Sequence, residues 1–246
     1  MTMFKHTTLG KFSIRLAVFS GLLTVGMIIL HRFNIAGFQI ALPGLAISTL
    51  TGFIAALLGI AGLFAAMRQR KSALSSLTGS LLGFIVAMPT VFTLLAASGL
   101  PRIHDISTDL NNPPQFEAVL TQRKTTDNPL ERLIPDNLSQ LQQVGYPDLK
   151  PLLLDRPASA VFERALQLVK SRNWHIAAVS ADQGKIEATA VTPVMAFKDD
   201  VIIRIQPNGE FTQVDMRSVS RVGVSDLGAN ATRIREFLSD LQQSQD

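Results

Sequence analysis

The sequence predicts an α+β domain carried behind three membrane-spanning helices, and three observations predict it. The first hundred residues contain seven Lys and Arg but no Asp or Glu, and three long apolar runs fill them. Four runs suited to strands follow one another between Trp174 and Ser220, with Asp182-Gln183-Gly184 and Pro207-Asn208-Gly209 at two of the joints. Amphipathic helical patterns stand before and after those runs. Together they imply an antiparallel sheet of about four strands packed by two helices in a two-layer domain.

The spans come first in the chain. Ile14 to Leu30 is apolar apart from Arg15, whose long stem lets its charge reach the interface. A helix over about residues 14–31 is close to the length a bilayer requires. A basic stretch before an apolar run also fits a cleaved signal peptide, but His31-Arg32-Phe33-Asn34 offers no small-x-small cleavage pattern, so a retained anchor is expected. The second span covers about residues 40–67, with Pro43 near its start, where proline costs least, and Arg68-Gln69-Arg70-Lys71 at its end. The third covers about residues 73–97, and its Pro89 is tolerated in a membrane helix. Ser75, Gly79, Gly83 and Ala87 recur every four residues, as do Thr51, Ala55 and Gly59, a spacing that lets helix backbones approach closely. Spans two and three are expected to form a tight hairpin, with a homodimer seam as the rival use of that face. No Asp, Glu or Lys lies inside a span, which disfavours a transporter.

Basic residues also predict orientation. Lys5, Lys11 and Arg15 precede the first span, and Arg68, Arg70 and Lys71 lie between the second and third. Both groups belong in the cytoplasm, which puts the loop at Arg32 and everything after Ser98 outside. The expectation is a multi-pass protein of the bacterial inner membrane, with a cytoplasmic N-terminus, a membrane domain over residues 1–100 and a periplasmic domain over residues 101–246.

The net charge of +4 and pI near 9.7 could suggest nucleic acid. From Pro101 onward, however, 16 Lys and Arg stand against 19 Asp and Glu, a balance of −3. The basicity belongs to the membrane flanks, and no nucleic-acid partner is expected. The absence of cysteine excludes disulfides, thiolate metal sites and cysteine nucleophiles.

The domain opens irregularly. Ile103 to Asp109 suits a short strand, Asn111-Asn112-Pro113-Pro114 a turn, and Asn137 to Val144 a short helix. The prolines between Pro101 and Lys150 argue for extended chain laid over a core. Ala158 to Ser171 places Val161, Phe162, Ala165, Leu166 and Val169 on one helical face. Strands are predicted over Trp174–Ser180, Lys185–Thr192, Asp200–Gln206 and Phe211–Ser220. Ser225 or Asp226 can cap a last helix, in which Leu227, Ala231, Ile234, Leu238 and Leu241 form one stripe.

Several of these stretches are similar to a known family. IHDISTDLNNPPQF, YPDL, IEATA, FKDDVIIRI and VDMRSVSRVGVSDLGANATRIREFL closely resemble the bacterial family catalogued as domain of unknown function 1499. The resemblance covers Pro101 to Leu241. It implies membrane segments ahead of the domain and brings no chemistry with it.

The candidate sites are few. His6 and His31 flank spans and read as interfacial. His104, Asp105 and Asp109 could be imagined as ligands or catalytic groups, but alternation along a strand would turn His104 and Asp105 to opposite faces. Without a His-x-x-x-His pair or cysteines, no metal and no cofactor is expected. No Gly-x-Ser-x-Gly supports a serine hydrolase. Asp199 and Asp200 could bind a cation, or could close a hairpin end, solvated or paired with arginine. The best constellation is Arg217, Arg221, Gly223 and Ser225, with Asp226: two guanidinium forks and a Gly-containing turn before a helix N-terminus suit an anionic ligand. The structural alternative pairs both arginines with Asp199, Asp200, Asp215 or Asp226. The leading expectation is a non-enzymatic domain with an envelope-related role, binding a membrane or periplasmic protein partner, or an anionic small molecule or lipid headgroup. The alternative is a membrane-tethered enzyme using His104, Asp105, Asp109 and the arginine cluster on an envelope substrate.

Overall fold

The computed structural model describes residues 6–132 and 135–243. Lys5, one of the residues on which the expected orientation rests, lies outside them. The chain divides into two compact units, residues 1–98 and 99–246.

The first unit consists of helices α1 (His6–Arg32), α2 (Phe38–Arg68) and α3 (Leu74–Ala96). All three are long and apolar enough to cross a membrane. Their large side chains point outward while small ones form the seam. The buried residues of α2 are Ala, Gly and Ser alone, and those of α3 are Ser76, Gly79, Ser80, Gly83 and Ala87. A Cβ on Gly83 would meet the carbonyl of Gly52 at 2.5 Å, and one on Gly59 would meet the carbonyl of Ser76 at 2.6 Å. Spans two and three therefore pack backbone to backbone within the chain, as the small-residue spacing suggests. The register differs slightly: Ser76, rather than Ser75, is the buried position near the start of α3. Hydroxyls tie in the first span, with Ser13 Oγ donating to the Ala55 carbonyl at 2.7 Å and Ser20 Oγ to that of Ser48 at 2.6 Å.

The second unit is built on an antiparallel sheet. Strands β3 (His175–Ser180), β4 (Lys185–Val191), β5 (Lys198–Asn208) and β6 (Phe211–Ser220) form a meander in chain order. Two short strands, β1 (Asp105–Ser107) and β2 (Leu152–Leu154), both pair antiparallel with the outer edge of β6. The sheet thus has six strands where the sequence suggests about four. Three-residue strands carry too little periodicity to be read alone, and β2 exists because its leucines meet Thr212–Val214. Gly209 and Glu210 close the β5–β6 hairpin, with Gly209 at φ +63°.

Helices α5 (Ala158–Ser171) and α6 (Ala229–Gln243) cover one face. Val161, Phe162, Ala165, Ile234 and Phe237 pack there on Ile186, Ala188, Val201, Ile203, Val214 and Met216. Trp174 stacks on Phe237 at 5.6 Å between ring centroids. A short helix α4 (Leu138–Gly145) adds Leu138 to this core. Its Gln142 completes β1 from the side: the amide oxygen accepts from Ser107 N–H at 3.0 Å and the amide nitrogen donates to the Ser107 carbonyl at 2.6 Å. The proline-rich segment between Asp109 and Arg132 lies over the opposite face, through a 3-10 turn at Ala118–Gln122.

Candidate functional site

The covered face of the sheet is where the sequence concentrates its charges. In antiparallel strands, directly opposed residues share a face. Glu187 opposes Ile202, Thr189 opposes Asp200, Ile202 opposes Arg217, and Arg204 opposes Asp215. Charged and polar side chains dominate this face over β4 to β6, and Phe116, Val119 and Leu130 of the covering segment pack on its apolar residues Ile202 and Val219. Charged groups held this deep must find partners, and each of those described here does.

Arg217 is fully buried. Its Nε donates to Asp105 Oδ1 at 3.0 Å, and Nη2 donates to Asp105 Oδ2 at 2.8 Å and to the Leu130 carbonyl. Its Nη1 donates to the Pro114 carbonyl at 3.0 Å, and the guanidinium lies 5.1 Å from the Phe116 ring centre. Arg132 donates a further bond to Asp105 at 2.6 Å, and burial pulls its guanidinium below the usual arginine value, against the opposing pull of Asp105.

Arg221 forms a second knot. Its Nε and Nη2 both reach Asp200, Nη2 also reaches Thr189 Oγ1 at 3.2 Å, and Nη1 donates to the Gln122 carbonyl at 3.0 Å. Arg123 bonds Asp200 from the cover side. A third group joins Arg204 to Asp215 at 2.8 Å and to Asp109 at 3.1 Å. Glu187 accepts the N–H groups of Glu117 at 2.9 Å and Val119 at 3.0 Å, so a strand carboxylate holds the first turn of the 3-10 segment.

On the helix face, Asp199 pairs with Arg233 at 2.6 Å. Ser218 Oγ and Asn230 Oδ1 share a 2.6 Å bond, and Asn230 Nδ2 donates to the His104 carbonyl at 3.0 Å. Asp226 caps α6 by accepting from the N–H groups of Gly228 at 3.0 Å and Asn230 at 2.7 Å. Burial raises the Asp226 carboxyl above its usual range despite those two bonds, and Asp199 adds to the rise. Burial lowers the His104 imidazole, opposed by Asp105, a hydrogen bond to the Val224 backbone and Asp226. Tyr146 is pushed up to about 12 by burial, and its hydroxyl has no hydrogen-bond partner among the described residues.

The structure thus separates the expected constellation. Arg217 and Arg221 lie under the covering segment, each with its guanidinium nitrogens engaged. Gly223 and Ser225 belong to the loop that follows: the Gly223 carbonyl accepts from Asn128 Nδ2 at 2.8 Å, and Ser225 Oγ accepts from Leu227 N–H at 3.3 Å. Arg221 takes one of the carboxylates named in the pairing alternative, Asp200, whereas Arg217 takes Asp105, which that alternative did not include. Asp199 and Asp200 are buried within β5, which starts at Lys198 rather than Asp200; they are not solvated, and both are paired with arginine, the other form of the structural reading. His104 and Asp105 do diverge, His104 toward the Val224 backbone and Asp105 toward Arg217.

Sequence reasoning passed over Arg123, Arg132, Arg204, Arg233 and Glu187. For Glu187 and Arg204 the signal available was strand alternation: Asp200 and Arg204 in β5, and Asp215 and Arg217 in β6, fall on one face, which is polar but need not be wet. Among the described residues, no group of three or more His, Asp or Glu is placed to hold a metal ion. A concavity of about 600 Å³ forms an open groove between the start of α5 and the 181–184 turn, lined by Ser159, Phe162, Gln183 and Pro207 among others. None of the residues expected to form a site faces it.

Residues 105–241, more than half of the chain, match the model of a family described as protein of unknown function, DUF1499. No curated protein matches the chain.

Proposed function

The chain belongs to the DUF1499 family, and from that premise we propose that it works by binding rather than catalysis. It would be a multi-pass protein of the bacterial inner membrane whose domain stands on the periplasmic side and receives an extended segment of an envelope protein. The observation that carries this reading is the asymmetry of the sheet edges. The β6 edge is occupied by β1 and β2, whereas no described strand pairs with the outer edge of β3. Residues 175–180, His-Ile-Ala-Ala-Val-Ser, contain no proline and no Lys, Asp or Glu, the residues that usually protect an exposed edge. Backbone N–H and C=O groups along such an edge can take up a partner strand.

Of the ligand classes the sequence suggests, a protein fits this geometry better than an anion. An anion at Arg217 or Arg221 would have to compete with carboxylates and carbonyls that already engage every nitrogen of both guanidiniums. The same commitments argue against the enzyme alternative, because Asp105 and Asp109 already neutralise arginines.

Native mass spectrometry of the full-length protein, released from its own membranes into mild detergent, tests the reading. Val179 forms a non-hydrogen-bonded pair with Ile186, so its N–H faces the outer edge. A protein retained by wild type and lost from Val179→Pro, with hydrogen exchange at residues 176–180 slowed only in the complex, is the expected result. A retained small anion with no protein, or a complex indifferent to Val179→Pro, would overturn it. Reporter fusions after Arg70 and after Ser98 test the address separately: activity on opposite sides of the membrane is expected, and the same side for both would sink it.

A further inference from the structure

We infer that the loop from Val222 to Gly228 is a lipid-contacting tip, seated in the headgroup region of the bilayer that the first three helices span. The inference rests on the membrane-spanning reading of those helices and is independent of any partner at β3.

The loop presents its apolar side chains outward. Val224 is 65% exposed and Leu227 46% exposed. Its one charged residue, Asp226, is turned inward as the cap of α6. Leu227 holds φ at +52°, a conformation that side chains other than Asn, Asp or Gly rarely adopt. The backbone is pinned from beneath, with Gly223 O accepting from Asn128 Nδ2 at 2.8 Å and Asp226 N–H donating to Ile103 O at 3.2 Å. Val224 and Leu227 are therefore displayed by a braced loop.

The chain itself says what covers them. A Cβ placed on Gly228 would come within 2.8 Å of Leu100 Cδ1, so the loop ends against Leu100. Leu100 is only two residues beyond Ser98, the last residue of the unit that holds the spans, a reach of about 7 Å of extended chain. Arg102, also exposed, adds a cation suited to lipid phosphate next to that exit point. An apolar tip beside a basic residue, where the chain leaves a membrane, matches the chemistry of an interfacial contact. Phe211 provides the internal contrast. It is also exposed, at 46%, but lies in the β5–β6 hairpin at the opposite end of those strands from Ser220.

The absence of native cysteine makes the test direct. Full-length Val224→Cys, Leu227→Cys, Phe211→Cys and Ile85→Cys, each carrying an environment-sensitive fluorophore, are reconstituted into phosphatidylethanolamine/phosphatidylglycerol vesicles with or without lipids spin-labelled near the headgroup or deep in the chains. Ile85 faces outward from α3 and reports the span. The expected result is loss of emission at Ile85 with deep labels, at Val224 and Leu227 with headgroup-proximal labels, and no loss at Phe211. Loss at Ile85 with none at Val224 or Leu227, or equal loss at Val224 and Phe211, overturns the inference. No loss at Ile85 overturns the spanning reading and this inference with it.

Discussion

Arg217 and Asp105, 112 residues apart in the chain, form a two-point ion pair with side chains only 1% and 4% exposed. The pair joins the short strand that enters the domain to the central strand β6, and Arg217 continues to the carbonyls of Pro114 and Leu130 in the cover. Asp105→Ala leaves the buried Arg217 without its carboxylate, and Arg217→Ala leaves the buried Asp105 with Arg132 alone. Asp105→Ala and Arg217→Ala should each cost about 3–5 kcal/mol. The double variant should lose less than the sum of the two by about 1–3 kcal/mol. Denaturant unfolding of the full-length protein in detergent, followed by the fluorescence of Trp174, measures this cycle. Losses below about 1 kcal/mol for both single variants, the level of a surface pair, would show that the pair does not hold the fold.

A milder lesion should free the cover alone. Arg123 reaches Asp200 and the Asn128 carbonyl from within the covering segment, while Asp200 keeps Arg221 and Thr189. Arg123→Ala should therefore speed hydrogen exchange across residues 116–130 and leave exchange in β4 to β6 unchanged, because local openings draw on local contacts. Equal acceleration in the strands would mean that cover and sheet open as one unit.

His104 should give the domain a pH-dependent stability. Its folded-state value is lowered by burial from 6.5. Below that value the unfolded chain takes up a proton that the folded chain resists, so this contribution is complete above pH 6.5 and is lost as pH falls through the folded value. Asp226 works in the opposite sense. Its raised carboxyl contributes stability below 3.8 that is lost as pH rises through the folded value. The melting temperature of wild type should therefore fall more steeply than that of His104→Gln as pH drops below 6.5. Parallel curves would show that His104 is not protonated differently in the two states.

Much of this architecture was legible in local pattern. Ala158–Ser171 was readable to the residue because its apolar spacing is helical and its neighbours are not. The four meander strands were readable from apolar runs with Gly-containing turns at two of their three joints. β1 was within reach through Ile103 to Asp109, whereas β2 and the 3-10 turn were not, since each depends on a partner far along the chain. The candidate site was legible only as composition. Arg217 and Asp105 could be picked out as unusual, but nothing near either one announces a partner 112 residues away. Nor does the alternation of β6 reveal that proline-rich chain will dry its polar face. Long-range burial converts what looks like a surface anion site into an internal brace.

The membrane unit offers a matched pair of glycines. Gly83 faces the backbone of α2, where a Cβ would lie 2.5 Å from Gly52 O and 2.7 Å from Ala56 N. Gly26 has nothing within 4 Å of the same position. Replacing either by alanine gains roughly 0.5–1 kcal/mol of helix preference, so Gly26→Ala reports that gain alone. At Gly83 the contacting atoms belong to backbone and cannot rotate away, and overpacking of this kind costs about 1–3 kcal/mol. Gly26→Ala should leave unfolding in SDS unchanged or shift it upward, and Gly83→Ala should shift it downward. Because Gly83 packs within one chain, the loss should be the same at every protein concentration. A loss that disappears on dilution would instead assign Gly83 to a seam between two copies, since only association depends on concentration.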